Sequence, residues 1–181
     1  MRRTVALLRG INVGGRNSIA MADLRGIFED LGHRDIETYL QSGNVVFRAT
    51  GAPTVLAATI AGRITAELGL DVPVVVRTGA ELQKVVATNP FLADGVDPAT
   101  LHVVFTVGRA PSAALGDLEP ERFSPDRFVH RGREVYLHCP NGYGRTKLTN
   151  AFFEARLGPA AGTTTTRNWK TVTRLAEMSA G

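Results

Sequence analysis

Residues 10–17 read Gly-Ile-Asn-Val-Gly-Gly-Arg-Asn and separate the apolar run Val5-Ala6-Leu7-Leu8 from an amphipathic stretch beginning at Met21. Glycine and asparagine favour turns and left-handed backbone over helix or strand. The chain therefore leaves its first element, a strand over residues 3–9, through a loop. Met21, Leu24, Ile27, Phe28 and Leu31 then recur at helical spacing, and Gly32 ends the pattern. Residues 36–40 and 45–48 read as strands joined by the turn signal Gln41-Ser42-Gly43-Asn44, which predicts a hairpin. Thr54 opens a helix with Leu56, Ile60, Ile64 and Leu68 on one face and Gly69 at its end. A Val-rich strand over residues 72–77 follows. The order β-α-β-β-α-β is the split-βαβ or ferredoxin-like arrangement.

The same order recurs downstream with one extra helix. A helix over residues 80–88 stops at Asn89-Pro90-Phe91, and the polar stretch from Asp94 to Pro98 reads as a connector. It divides the chain into a first half, residues 1–93, and a second, residues 99–181. The second half carries a strand (101–107), a short helix (111–118), a hairpin around Gly132 (127–130 and 134–138) and a helix (148–157) ended by Gly158-Pro159. The β-prone run of threonines at 163–166 and a last helix from about Asn168 to Met178 complete it, with Trp169, Val172 and Leu175 on the helix's buried face. The expected fold class is α+β: two ferredoxin-like halves packed into one compact unit.

Composition excludes several classes. The 181 residues are 44% hydrophobic and 21% charged, which is ordinary globular composition. No apolar run reaches membrane-spanning length. Arg2 and Arg3 precede an apolar stretch too short for a signal-peptide core. The single Cys139 forms no internal disulfide and agrees with a reducing compartment, so a cytoplasmic protein is expected. Residues 94–121 carry a net charge of −4 and residues 122–181 a net of +6, with 18 arginines and 3 lysines in the whole chain. A basic C-terminal third attracts phosphate-bearing partners.

The first loop nearly fits a phosphate-binding frame. Gly10, four residues, Gly15, Arg16 and Asn17 stand in the register G-x-x-x-x-G-K-[ST], with Arg in place of Lys and Asn in place of the magnesium-binding hydroxyl. An antiparallel split-βαβ order is also the wrong context, so a Walker-type NTPase is excluded. Two readings of the loop stay open: an anion cradle made by backbone N–H groups with Arg9, Asn12 and Arg16, or a tight loop that its glycines permit. In this topology the first and third strands are antiparallel neighbours, which should bring residues 9–12 beside Ser42, Gly43 and Asn44. Arg167 and Asn168 are read at the start of the last helix, with Asn168 or Thr166 as N-cap and Arg167 facing an internal carboxylate or a bound anion. Lys147, in Tyr143-Gly144-Arg145-Thr146-Lys147, is either a phosphate contact or a solvated helix-end lysine. His33, His102, His130 and His138 show no metal-ligand spacing, although His130 and His138 flank a hairpin in which they would face each other. No catalytic set, metal or cofactor motif is readable. A base-stacking platform of the RNA-recognition type lacks its aromatics: the first strand has none and the third only Phe47.

Leu8-Arg9-Gly10-Ile11-Asn12-Val13-Gly14-Gly15, Gln41-Ser42-Gly43-Asn44-Val45 and Thr165-Thr166-Arg167-Asn168-Trp169-Lys170-Thr171-Val172 together resemble the family called domain of unknown function 1697. The similarity spans nearly the whole chain. It implies a bacterial α+β protein of two ferredoxin-like halves and implies no activity. The resulting expectation is a site for a small phosphate- or carboxylate-bearing ligand. Arg9, Arg16 and Arg167 neutralise it there, Asn12, Asn44 and Asn168 orient it, and Gly14, Gly15, Ser42 and Lys147 complete the set. The rival expectation is a non-enzymatic module that binds nucleic acid or protein through the basic C-terminal third.

Overall fold

In the computed structural model, which describes Met1–Gly181, the first ferredoxin-like order is complete. Its elements are β1 (Arg2–Leu8), α1 (Met21–Asp30), β2 (Arg34–Tyr39), β3 (Asn44–Ala49), α2 (Pro53–Leu68) and β4 (Val74–Thr78). The sheet order is β2-β3-β1-β4 and every neighbouring pair is antiparallel. Leu24, Ile27 and Phe28 form the buried stripe of α1. Pro53 starts α2, where its missing N–H is harmless. Gly69, in the left-handed region at φ 66°, ends that helix with its N–H on the Thr65 carbonyl. Ala6, Leu8, Val45, Phe47, Val74 and Val76 face these helices in one core, where Phe28 meets Phe47 edge-on at 4.9 Å. The alternate residues Val5, Leu7, Val46 and Val75 are also fully buried. A sheet buried on both faces reads as continuous apolar runs, which explains Val5-Ala6-Leu7-Leu8 and Val74-Val75-Val76.

The second order follows α3 (Gly79–Ala87): β5 (Leu101–Thr106), β6 (Arg127–Arg131), β7 (Glu134–His138), α4 (Asn150–Leu157), β8 (Thr164–Asn168) and α5 (Trp169–Met178). The sheet order β6-β7-β5-β8 repeats the wiring of the first sheet. Where a helix is expected after β5, the chain makes two single-turn 3₁₀ helices, Ser112–Leu115 and Pro120–Phe123. Pro111, Pro120 and Pro125 interrupt any longer helix there, because proline removes an N–H and clashes with the preceding turn. The core of this half joins Val104, Val135 and Leu137 to Leu148, Phe153 and Leu157. Phe123, Phe128, Phe152 and Phe153 add edge-on ring contacts.

The contacts divide the chain into Met1–Gln83 with Leu175–Gly181, and Lys84–Arg174. The division falls inside α3 rather than at the connector from Asp94 to Pro98, and the end of α5 returns to the first unit. Two contacts hold that return. Gln83 Nε2 donates to the Ala176 carbonyl at 2.7 Å. Gly79 lies so close that a Cβ there would stand 2.2 Å from the Ser179 carbonyl oxygen.

Two glycines should therefore respond oppositely to alanine. Gly79→Ala has no room and should destabilise by about 3 kcal/mol. Gly26 lies within α1 with nothing near the site of a Cβ, so Gly26→Ala should stabilise by roughly 0.5–1 kcal/mol. Urea unfolding of both variants measures the two signs.

Candidate functional site

Five residues of the first loop take left-handed backbone: Gly10, Asn12, Gly14, Gly15 and Asn17, with φ of 71°, 54°, 59°, 74° and 47°. Val13 and Arg16 close a two-residue turn through the Arg16 N–H on the Val13 carbonyl at 3.0 Å. Positive φ at both central residues is the requirement of a type I′ turn, which Gly14-Gly15 meets without strain. The Asn12 side chain holds the loop in place. Its Nδ2 donates to the carbonyls of Ile19 at 3.0 Å and Gln41 at 2.8 Å, and its Oδ1 accepts from the Ile19 N–H at 2.8 Å. Asn17 Nδ2 donates to the Gly10 carbonyl at 3.1 Å.

The β1–β3 register sets Leu7 opposite Asn44, so the end of β1 does lie beside the hairpin turn. The Leu8 N–H donates to the Gly43 carbonyl at 2.8 Å. Gly43, at φ 90°, is packed against Leu8 and Ile11, and a Cβ would come within 2.8 Å of both. Asn44 is fully buried, and its Nδ2 donates to the Tyr39 carbonyl and to Ser42 Oγ. Asn12 and Asn44 thus use their amides within the fold. Arg9 is half-buried, while Ser42, Gly14, Gly15 and Arg16 are exposed. The Arg16 guanidinium and the N–H groups of Gly14 and Gly15 bond to no protein acceptor.

The C-terminal motif differs from its reading as a helix start. Arg167 is a strand residue, because β8 pairs with β5 as far as Asn168, with Arg167 opposite Val103. Arg167 Nη1 donates to Thr165 Oγ1 at 2.8 Å and to the Thr166 carbonyl at 3.0 Å. Burial lowers its pKa to about 10, so it stays charged at neutral pH. Asn168 is the N-cap of α5, its Oδ1 accepting from the Thr171 N–H. Thr164 and Thr166 point the other way and donate to Asn150 Oδ1, with Tyr143 donating to Thr166. Lys147 is exposed and lines a cleft with Arg122 and Arg145.

Arg77 escaped the sequence reading, although Val74-Val75-Val76-Arg77-Thr78 matches Thr164-Thr165-Thr166-Arg167-Asn168 in pattern. Both segments are three β-branched residues, an arginine and a helix-capping residue. Arg77 is fully buried opposite Val5, and its Nη1 donates to the preceding carbonyl at 3.0 Å, as that of Arg167 does. Thr78 and Glu81 form a reciprocal capping box on α3.

The remaining candidates are plain. His130 stands opposite Val135 and His138 opposite Arg127, so the two histidines do not face each other. Cys139 is buried, which pushes its thiol pKa up to about 11. Phe47 belongs to the core beneath α1 rather than to an open platform. No group of three or more metal-ligating side chains assembles, and no helix is long and apolar enough to cross a membrane.

The family described as "Protein of unknown function (DUF1697)" matches residues 1–136, and the chain belongs to that family. Its sequence matches none of the curated proteins. Among solved structures, the conserved bacterial protein SP0830 from Streptococcus pneumoniae is similar in fold, with a TM-score of 0.75 and 22% identity over 98% of each chain.

Asn12→Ala should destabilise by about 2 kcal/mol, since it strips the Ile19 N–H of its acceptor, and should speed hydrogen exchange at Ile19 more than at Leu24. A pH effect follows from the histidines. Burial lowers the pKa of His33, His102 and His138 below 6.5. The unfolded chain therefore binds more protons than the native one just below that value. Stability should be full above it and fall as pH drops toward the native pKa values. His102→Gln should flatten that slope in unfolding curves recorded across the range.

Proposed function

We propose that this family member binds a small phosphate- or carboxylate-bearing ligand on the loop of residues 10–17. The observation that carries this reading is the Gly14-Gly15 turn. It is fixed by Asn12 and Asn17, and it leaves two N–H donors and the Arg16 guanidinium without a protein acceptor. Donors fixed before binding lose little entropy on capturing a ligand. The guanidinium supplies a planar fork that matches a phosphate or carboxylate in two hydrogen bonds. The approach is open, since a Cβ at Gly10, Gly14 or Gly15 would meet nothing within 4 Å. In this reading Arg16 and Arg9 supply charge, Gly14 and Gly15 supply N–H groups, and Ser42 borders the site. Asn12 and Asn44 hold the frame. Arg167 and Asn168, which serve β8 and the cap of α5, are not needed.

Thermal shift against phosphate, pyrophosphate, citrate and nucleoside phosphates tests the reading. A ligand that binds only the folded chain raises the melting temperature, by an amount equivalent to about 2.7 kcal/mol at a hundred times its dissociation constant. Arg16→Ala should abolish the rise while leaving the unliganded stability within about 0.5 kcal/mol. No rise with any anion, or a rise that Arg16→Ala leaves intact, overturns it. Binding to unrelated oligonucleotides that weakens steeply with salt would instead favour the interaction module.

A further inference from the structure

We propose a second anion site, independent of the loop, in the cleft between residues 122–126 and 141–147, with a phosphate monoester as its ligand. The cleft has a volume of about 190 Å³ and is lined by Arg122, Ser124, Asp126, Asn141, Arg145 and Lys147. All of them lie within the second unit.

Three cations without a carboxylate partner line this one cleft. Arg3, Arg25, Arg48, Arg63, Arg127 and Arg156 each hold a carboxylate partner at 3.5 Å or less. Arg122, Arg145 and Lys147 hold none, although Asp126 lines the same cleft. Three cations drawn to one concavity repel each other unless an anion sits among them.

Both walls are rigid. On one side Phe123 is wedged against Phe128 and Phe152, and the Asp126 N–H bonds the Phe123 carbonyl at 2.8 Å. On the other side Tyr143 stacks on His102 at 4.8 Å and donates to Thr166, while the Arg145 and Thr146 N–H groups bond within the turn. The bases of the three cations are therefore held in place before any ligand arrives, which lowers the ordering cost of binding.

Charge and size select the ligand. Three cations against one carboxylate leave a net of +2, which a phosphate monoester balances at neutral pH and a single carboxylate does not. Ser124 and Asn141 add neutral hydrogen-bonding groups at the rim. The volume is below the roughly 300–1,000 Å³ of sites that enclose whole drug-sized molecules. It suits a phosphoryl group with a small organic stem and leaves a nucleotide base outside.

The test is a two-dimensional amide NMR titration with inorganic phosphate, glycerol 3-phosphate and acetate. Saturable shifts at residues 122–126 and 141–147 are expected with both phosphates and not with acetate. Arg145→Ala with Lys147→Ala should weaken binding by roughly tenfold for each cation removed. Arg145→Lys should bind more tightly than Arg145→Ala, and Arg16→Ala should change nothing here. Affinity should rise with pH through about 6, as the phosphate takes its second charge. Shifts that never saturate, equal response to acetate, or binding unchanged in the double variant would each overturn the proposal. The loop reading stands or falls separately, on the shifts of Gly14 and Gly15 and on Arg16→Ala.

Discussion

The antiparallel pairing of β1 with β3 is the constraint on which the candidate loop depends. It places Leu7 opposite Asn44 and brings the end of one strand against the turn that starts the other. Once those segments meet, the space left between them admits only a glycine at position 43, and Leu8 and Ile11 fill the room a side chain would take. Asn12 then bridges the loop and the turn through a single amide. The left-handed backbone of five loop residues is stable in this frame because glycine carries no steric penalty there and asparagine only a small one.

The two halves share wiring but not construction. In each, a β-branched run ends in an arginine and a capping residue, and a helix starts at once. In each, that arginine faces away from the helices that cover its sheet and donates to the carbonyl before it. Their first connections differ. α1 covers the first sheet, whereas the second relies on 3₁₀ turns and a cluster of phenylalanines, because its prolines forbid a long helix. The threonines of β8 replace the valines of β4 because two of their hydroxyls reach Asn150 at the start of α4.

Charge is sorted in the same local way. Six surface arginines sit beside a carboxylate, so they say little about ligands. Among the cations without a carboxylate partner, Arg16 stands on a fixed turn, and Arg122, Arg145 and Lys147 line one cleft. Fixed donors around a small volume make anion binding a matter of geometry as well as net charge.

Element order, apart from the helix expected after β5, turn positions and the helix-ending glycines Gly32, Gly69 and Gly158 were legible in the chain, since backbone preference and hydrophobic period act over a few residues. The adjacency of Arg9 to Asn12 with Ser42 to Asn44 was legible as well, because it follows from strand order alone. Other features were not. Asn12 and Asn44 look like ligand contacts until the packed chain supplies carbonyls for their amides. Arg167 looks like a helix residue until its pairing with β5 extends the strand past it. Arg122 is silent beside Lys147, twenty-five positions away. The amino-acid sequence by itself determined the kinds of element and where they turn, which are short-range properties. Only the tertiary structure decided which polar groups were satisfied and which converged unpaired, because that depends on register and packing between residues far apart along the chain.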